Sequence, residues 1–293
     1  MKTIQLGDIR IDRIVESESP LFEPTFLLPD ATPEAIDPDR DWLEPRFIDP
    51  ASKKLIMSFH SYLIRTPRKT ILVDACVGND KNRPHRNFWH KQNRPYLKDM
   101  AALGVHPEQI DCVMCTHLHI DHVGWNTRLV DGRWVPTFPN AKYLFARKEY
   151  EFWDALHRTK PEEPVNHGSF EDSVLPVMEA GRAVLVDDDH EIDTGMQLEA
   201  AHGHTAGNVV VNIKSKESRA VLCGDTLQHA VQVAHPGWSS RFCHDPVQSA
   251  ETRTKLVDGI ADTDTLLLAA HFPSPVAGTV VRHQDRYRFK PRE

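Results

Sequence analysis

Thr116-His117-Leu118-His119-Ile120-Asp121-His122-Val123-Gly124 is the stretch that decides how this chain is read. It follows directly on the short apolar run Cys112–Cys115, which reads as a buried strand, so it lies where a strand ends and the chain turns. A turn there aims the alternating His117 and His119 into one pocket and swings Asp121 and His122 to a neighbouring point. Four ligand-type residues fall within six positions, beside apolar neighbours. Core packing does not account for them. Buried imidazoles and a carboxylate need partners, and a divalent cation supplies them.

Three later residues share that context. His204 sits in Ala201-His202-Gly203-His204-Thr205-Ala206-Gly207-Asn208, a turn whose glycines let the backbone approach a site closely. Asp225 closes Leu222-Cys223-Gly224-Asp225-Thr226, and His271 closes Leu268-Ala269-Ala270-His271-Phe272-Pro273. Each is a ligand-type residue just past an apolar run, where open α/β sheets carry functional groups. His117, His119, Asp121, His122, His204, Asp225 and His271 therefore form one set of candidate metal ligands.

The rest of the chain reads as scaffold. With 40% hydrophobic and 26% charged residues it has ordinary globular composition and ample core material. A net charge of −7, with no long Lys/Arg run, gives no pull toward nucleic acid or an anionic membrane. No apolar run approaches the ~18 residues of a membrane span, and the N-terminus lacks the pattern of a signal peptide. The cysteines, Cys76, Cys112, Cys115, Cys223 and Cys243, are odd in number and without framework spacing, so reduced thiols and a cytoplasmic setting are expected. Cys112-x-x-Cys115 has the spacing of a zinc knuckle or redox pair, but inside an apolar run it reads as two packed core thiols.

Strands are expected at Ile9–Val15, at Ser61–Arg65 and Thr70–Val73 around the turn 66–69, at Cys112–Cys115, at Val209–Ile213 and Ala220–Cys223, and at Leu266–Ala270. Helices are expected at Leu97–Leu103, ended by Gly104, and from Asp245-Pro246 to Ile260. Residues 16–54 are rich in Pro and acid yet carry Phe22, Phe26, Leu27, Leu28, Trp42 and Phe47, which reads as an ordered arm packed on something. Residues 145–180 read as a helix followed by a variable surface excursion.

In the order His-x-His-x-Asp-His, Gly-His-Thr, Gly-Asp-Thr and a final His, the sequence resembles the metallo-β-lactamase superfamily over most of residues 50–275. The resemblance implies an α/β fold, an αββα sandwich of two packed mixed sheets covered by helices, as a single domain over 1–293. It implies two divalent ions, zinc by default, although manganese, iron or cobalt also suit imidazole and carboxylate donors. One ion would take His117, His119 and His204. The other would take Asp121, His122 and His271, with Asp225 bridging. Leu72-Val73-Asp74 is similar to the family's early strand, whose Asp orients a metal ligand from behind.

Departures within the family narrow the expectation. His119 stands where the di-iron, flavin-partnered relatives carry Glu. Asp225 resembles the lactonase, glyoxalase II and organophosphate-hydrolase type, where true β-lactamases usually carry Cys or Ser. The basic thioester pocket of glyoxalase II and the RNA-binding arm of the tRNA-processing relatives have no counterpart in this sequence. The implied activity is hydrolysis, in which a hydroxide shared by two metals attacks an ester-type bond. Asp121 and Asp225 are its catalytic carboxylates. A lactone or carboxylic ester ranks first, an organophosphate triester second and a β-lactam last. A non-catalytic metal-binding protein is the alternative of another class. The partner is a small-molecule substrate, and the sequence sets no oligomeric state, a homodimer included.

Weaker signals surround this set. His202, Gln228 and His229 lie beside ligands and are candidates to stand behind them or face substrate. Phe22, Phe26, Trp42, Trp125, Trp238 and Phe242 are candidates to line an apolar pocket, with satellite packing as the competing reading.

Overall fold

In the computed structural model, residues 3–160 and 162–292 are described. The chain divides into two compact units, one made of Thr3–Glu16 and Phe59–Asp188, the other of Ser17–Ser58 and 189–292.

The first unit is built on a mixed sheet. Its strands are β1 (Ile4–Leu6), β2 (Ile9–Phe22, of which this unit has the part up to Glu16), β3 (Leu55–Arg65, of which it has the part from Phe59), β4 (Thr70–Val73) and β5 (Cys112–Cys115). After a separate hairpin, β6 (Thr127–Val130) and β7 (Arg133–Pro136), come β8 (Lys142–Ala146) and β9 (Ala183–Val186). The order across the sheet is β1-β2-β3-β4-β5-β8-β9. The pair around residues 66–69 forms as expected, with Arg65 opposite Thr70 and the Thr66 hydroxyl accepting from the backbone N–H of Arg68 and Lys69. The strand from Ile9 runs on to Phe22, beyond its apolar alternation. β5 has parallel neighbours on both edges, β4 and β8, and all four of its residues are buried. That is why it reads as an unbroken apolar run rather than an alternating one.

The segment 145–180 departs in part from expectation. Its helix forms over Arg147–Thr159, but the stretch beyond the helix is not carried on the surface throughout. Val165, Phe170, Val174 and Val177 are buried among Tyr143, Phe145 and Val113. Its acidic character has a use: Asp172 receives a two-pronged hydrogen bond from the buried Arg83, at 2.6 and 2.9 Å. The buried Lys81 Nζ lies 3.4 Å from the same carboxylate and donates to Thr127 Oγ1. Two buried cations thus find their acceptors in a stretch whose composition suggests solvent.

The second unit carries the other mixed sheet, β10 (Glu191–Asp193), β11 (Met196–Ala200), β12 (Val209–Ser215), β13 (Ser218–Leu222), β14 (Leu266–Leu268), β15 (Ala277–His283) and β16 (Arg286–Pro291). They lie side by side in chain order, and only β13 and β14 pair in parallel. Helix Pro246–Ile260 starts where expected, with the Asp245 carboxylate accepting from Val247 N and Gln248 N. The hairpin β15–β16 escapes the sequence reading. Its polar run Arg282-His283-Gln284-Asp285-Arg286 hides the pattern, although Val280 and Phe289 face each other and are buried. Residues 17–54 belong to this unit and form three single-turn helices, Pro24–Leu27, Pro33–Ile36 and Arg40–Leu43. Leu27, Leu28, Leu43 and Phe47 are buried, and the Phe47 ring lies 5.9 Å from Phe272 and 6.0 Å from Phe289.

Candidate metal centre

Each unit gathers part of the ligand set at strand ends. In the first, β5 leaves the sheet at Thr116, whose N–H and hydroxyl both donate to the Asp74 carboxylate at the end of β4. Asp74 Oδ2, which the Thr116 hydroxyl also reaches, lies 3.0 Å from His122 Nδ1. The turn is pinned throughout. Ala75 N donates to His122 O, His122 N to His119 O, and Gly124 N to Cys76 O. A Cβ on Gly124 would fall 1.8 Å from Val77 O, so only glycine permits that approach. Glu149, on the helix after β8, accepts from Leu118 N at 2.9 Å and from Trp153 Nε1 at 2.7 Å. Asn166 donates to Leu118 O.

Three imidazoles crowd together as a result. The rings of His117 and His122 have centroids 4.0 Å apart, those of His117 and His119 4.8 Å, and His117 Nε2 stands 3.1 Å from His119 Nδ1. His117 and His122 are buried. Asp121 is less enclosed, with 13% of its side chain exposed, and lies 3.9 Å from His122 Nε2.

In the second unit the parallel pair β13 and β14 sets the geometry. Leu222 is paired with Leu268, and Asp225 and His271 each come three residues later, so they leave the sheet side by side. His271 Nε2 lies 2.9 Å from Asp225 Oδ1, and His204 Nε2 lies 3.2 Å from Asp225 Oδ2. Both imidazoles thus face one carboxylate, all three residues buried. His271 and Ser58 are doubly linked: Ser58 N donates to His271 O, and Ser58 O sits 3.0 Å from His271 Nδ1. Gln228 donates to Asp225 Oδ2 at 2.8 Å. His204 is placed by Gly203, at φ +122°, whose Cβ position would lie 2.2 Å from Ser249 N. Behind His204, Cys243 Sγ is 3.6 Å from its Nδ1.

This arrangement sets the electrostatics. Burial works against a charged His204, but the charge and hydrogen bond of Asp225 prevail and raise it to about 9. Burial likewise opposes the Cys243 thiolate, and its contact with His204, then Ser249 and Arg253, brings it down to about 7. Without another cation, Asp225 would hold a proton on His204. The donor chemistry fits divalent metal: two buried imidazoles turned to one carboxylate in one unit and three imidazoles crowded together in the other, with oxygen acceptors behind His117, His122 and His271.

The remaining candidates separate. His229 does not stand behind a ligand: its Nε2 donates to Phe47 O and its Nδ1 accepts from Val231 N, so it anchors the 17–54 segment. The Asp225 partner is its neighbour Gln228. His202 is half-buried, and its carbonyl accepts from Thr252. Trp125 is buried, stacked on Tyr96 at 4.8 Å, and donates to Glu16, the packing role that competed with pocket lining. Phe22, Phe26 and Phe242 do come together, with centroids 5.4 to 6.4 Å apart, and Phe26 is 39% exposed. Trp42 packs on Phe47, and Trp238 stacks on His235 at 3.8 Å. A cleft of about 430 Å³ in the first unit, lined by Arg83, His85, His167 and Glu171 among others, includes none of the seven candidate ligands. Sequence reasoning missed Ser58, Glu149 and Cys243, whose partners lie 213, 31 and 39 residues away in the chain.

All five cysteines are thiols outside any disulfide, and no helix among the described residues is long and apolar enough to cross a membrane. The family model of the metallo-beta-lactamase superfamily matches residues 60–281. The N-acyl homoserine lactonase AiiA of Bacillus thuringiensis subsp. kurstaki is 25% identical over 181 residues, 58% of this chain and 64% of that protein. The chain thus spans somewhat under two thirds of the length of that curated relative. Among solved structures, the hydrolase AbOPH of the beta lactamase superfamily superposes with a TM-score of 0.80 at 23% identity, covering 99% of this chain and 97% of that one. AidC, a dizinc quorum-quenching lactonase in complex with the product N-hexanoyl-L-homoserine, does so with 0.78 at 19% identity, covering 100% and 97%. At that identity the likeness speaks for the fold.

Proposed function

Because the chain belongs to the metallo-beta-lactamase superfamily, we propose that it is a binuclear metal-dependent hydrolase of ester-type bonds, with a lactone as its preferred substrate. The observation that carries this is the Asp225 carboxylate, met on its two oxygens by His204 and His271 at 3.2 and 2.9 Å. A binding protein has no need of a carboxylate placed to bridge. Following the family pattern, His117, His119 and His204 hold one ion, Asp121, His122 and His271 the other, and Asp225 joins them. Zinc is the proposed metal, and it supplies Lewis acidity and a water acidified to near neutrality.

The chain's own groups do the rest. Asp74 and Ser58 hold His122 and His271 by their Nδ1 atoms, which leaves each Nε2 lone pair for coordination. Gln228 steadies Asp225 by donating to one oxygen. Asp121, the more exposed of the two carboxylates, is the one that a proton of the incoming nucleophile or substrate can reach. The Phe22, Phe26 and Phe242 cluster presents an apolar surface suited to an acyl chain. Its link to the centre is direct in sequence, since Phe242 adjoins Cys243, which touches His204. The names of the relatives point the same way, to acylated lactones.

The test is kcat/KM on a panel of acyl lactones, aryl esters, a methyl phosphotriester and a cephalosporin, with and without chelator. Lactones lead the panel and chelator abolishes turnover if the proposal holds. A phosphotriester or cephalosporin preferred over every lactone and ester by a hundredfold, about 2.7 kcal/mol of transition-state stabilisation, overturns the substrate ranking. No turnover on any member, with metal bound, favours a non-catalytic metal-binding role.

A further inference from the structure

A histidine that binds metal through Nε2 must carry its proton on Nδ1, and that proton needs an acceptor behind the ring. Three candidate ligands have oxygen there. His122 Nδ1 faces the Asp74 carboxylate at 3.0 Å, His271 Nδ1 the Ser58 carbonyl at 3.0 Å, and His117 Nδ1 the Thr116 hydroxyl at 3.2 Å. His204 differs. The group behind it is the Cys243 sulfur at 3.6 Å, an ordinary length for a sulfur acceptor.

The seat of that sulfur is built with care. Cys243 donates its own proton to Ser249 Oγ at 3.3 Å, which turns the sulfur lone pairs toward the imidazole. Ser249 Oγ is itself fixed by Arg253, which donates to it at 2.8 Å and is wholly buried. The strand of chain bearing the thiol is tied along the His204 turn, with His244 N donating to His204 O at 2.8 Å and Asp245 N to Gly203 O at 2.9 Å. Cys243 therefore cannot drift from the ring without breaking two backbone bonds. It is also the one cysteine that is not fully buried.

We propose that Cys243 is a positioning residue for the metal centre: its sulfur accepts the Nδ1–H of His204, fixing the ring so that the Nε2 lone pair points to the side of Asp225. The inference rests on the proposed role of His204 as a ligand. Sulfur is a polarisable, weaker acceptor than the oxygens behind His117, His122 and His271, so it holds the His204 ring while enriching it less.

The experiment measures metal affinity by competition with a chromophoric zinc chelator for the wild type, Cys243→Ala and Cys243→Ser, alongside the ¹⁵N–¹H signals of the His204 ring. Cys243→Ala is expected to bind its more weakly held ion at least tenfold less tightly, within the roughly 10–100-fold range for losing such a partner, with the Nδ1–H signal lost to solvent exchange. Cys243→Ser, which keeps a hydroxyl acceptor, recovers most of the affinity. Affinity within twofold of wild type in Cys243→Ala, with the ring signal unchanged, overturns the inference while leaving the hydrolase proposal intact. A wild-type chain that binds no divalent ion overturns both. Should Cys243→Ala fail to fold, Cys243→Ser decides: the Nδ1 proton resonance moves if sulfur was its acceptor, and an unmoved resonance refutes the role.

Discussion

His229 shows how a histidine beside the ligands can be tuned for the opposite purpose. Burial pushes it down to about 4, and the single bond to Phe47 O only partly offsets that. Its folded value lies below the ordinary 6.5, so as pH falls the unfolded chain takes up the proton first. The stability it contributes is complete above about pH 6.5 and is lost as pH falls toward 4. At ~1.4 kcal/mol per unit the loss amounts to about 3 kcal/mol. His229→Gln, which can still donate to Phe47 O, is expected to flatten that acid limb, as read from urea midpoints between pH 4.5 and 7. A variant as acid-labile as the wild type would show that other groups govern the limb. At this scale the sequence was legible where chemistry is clustered: four ligand types in six positions announce themselves. It was silent on the contacts that Trp125 and Cys243 make. Their partners, Glu16 and His204, lie 109 and 39 residues away, and no local spacing encodes such contacts.

Elements position these residues through two parallel strand ends and one tight turn. The strands that carry ligands were the readable ones, because a buried run such as Cys112–Cys115 is apolar on both faces. The hairpin β15–β16 and the packed stretch after Thr159 were not readable, since each hides core residues among charges that find partners only on folding. The turn around His204 depends on Gly203, held at φ +122° against the start of helix Pro246–Ile260. Gly203→Ala places a methyl 2.2 Å from Ser249 N and must push helix and turn apart. A loss of roughly 2 kcal/mol or more in folding stability is expected. It should be accompanied by weaker metal binding, because Cys243 and Ser249 move with the helix start. Calorimetry and metal titration of the variant check both effects, and unchanged metal affinity would mean that His204 does not rely on this contact.

Across the whole molecule, metal and fold are expected to be coupled. The crowded imidazoles of His117, His119 and His122 in one unit, and His204 and His271 against Asp225 in the other, are donor groups whose affinity for cations would add to the folding free energy. Two ions per chain by elemental analysis, and a melting temperature that falls on chelation, are the expected results. A metal content of zero or one, with full activity, would defeat the binuclear proposal. The buried Arg253 has a consequence of another kind. Its guanidinium donates to Thr226 O, just past Asp225, to Pro236 O and Trp238 O, and to Ser249 Oγ, with no carboxylate among these acceptors. Release of any one of these segments strips the ion of acceptors it cannot replace in the interior. The segments that carry Thr226, Trp238 and Ser249 are therefore expected to open together, with their amide protons exchanging as one cooperative group.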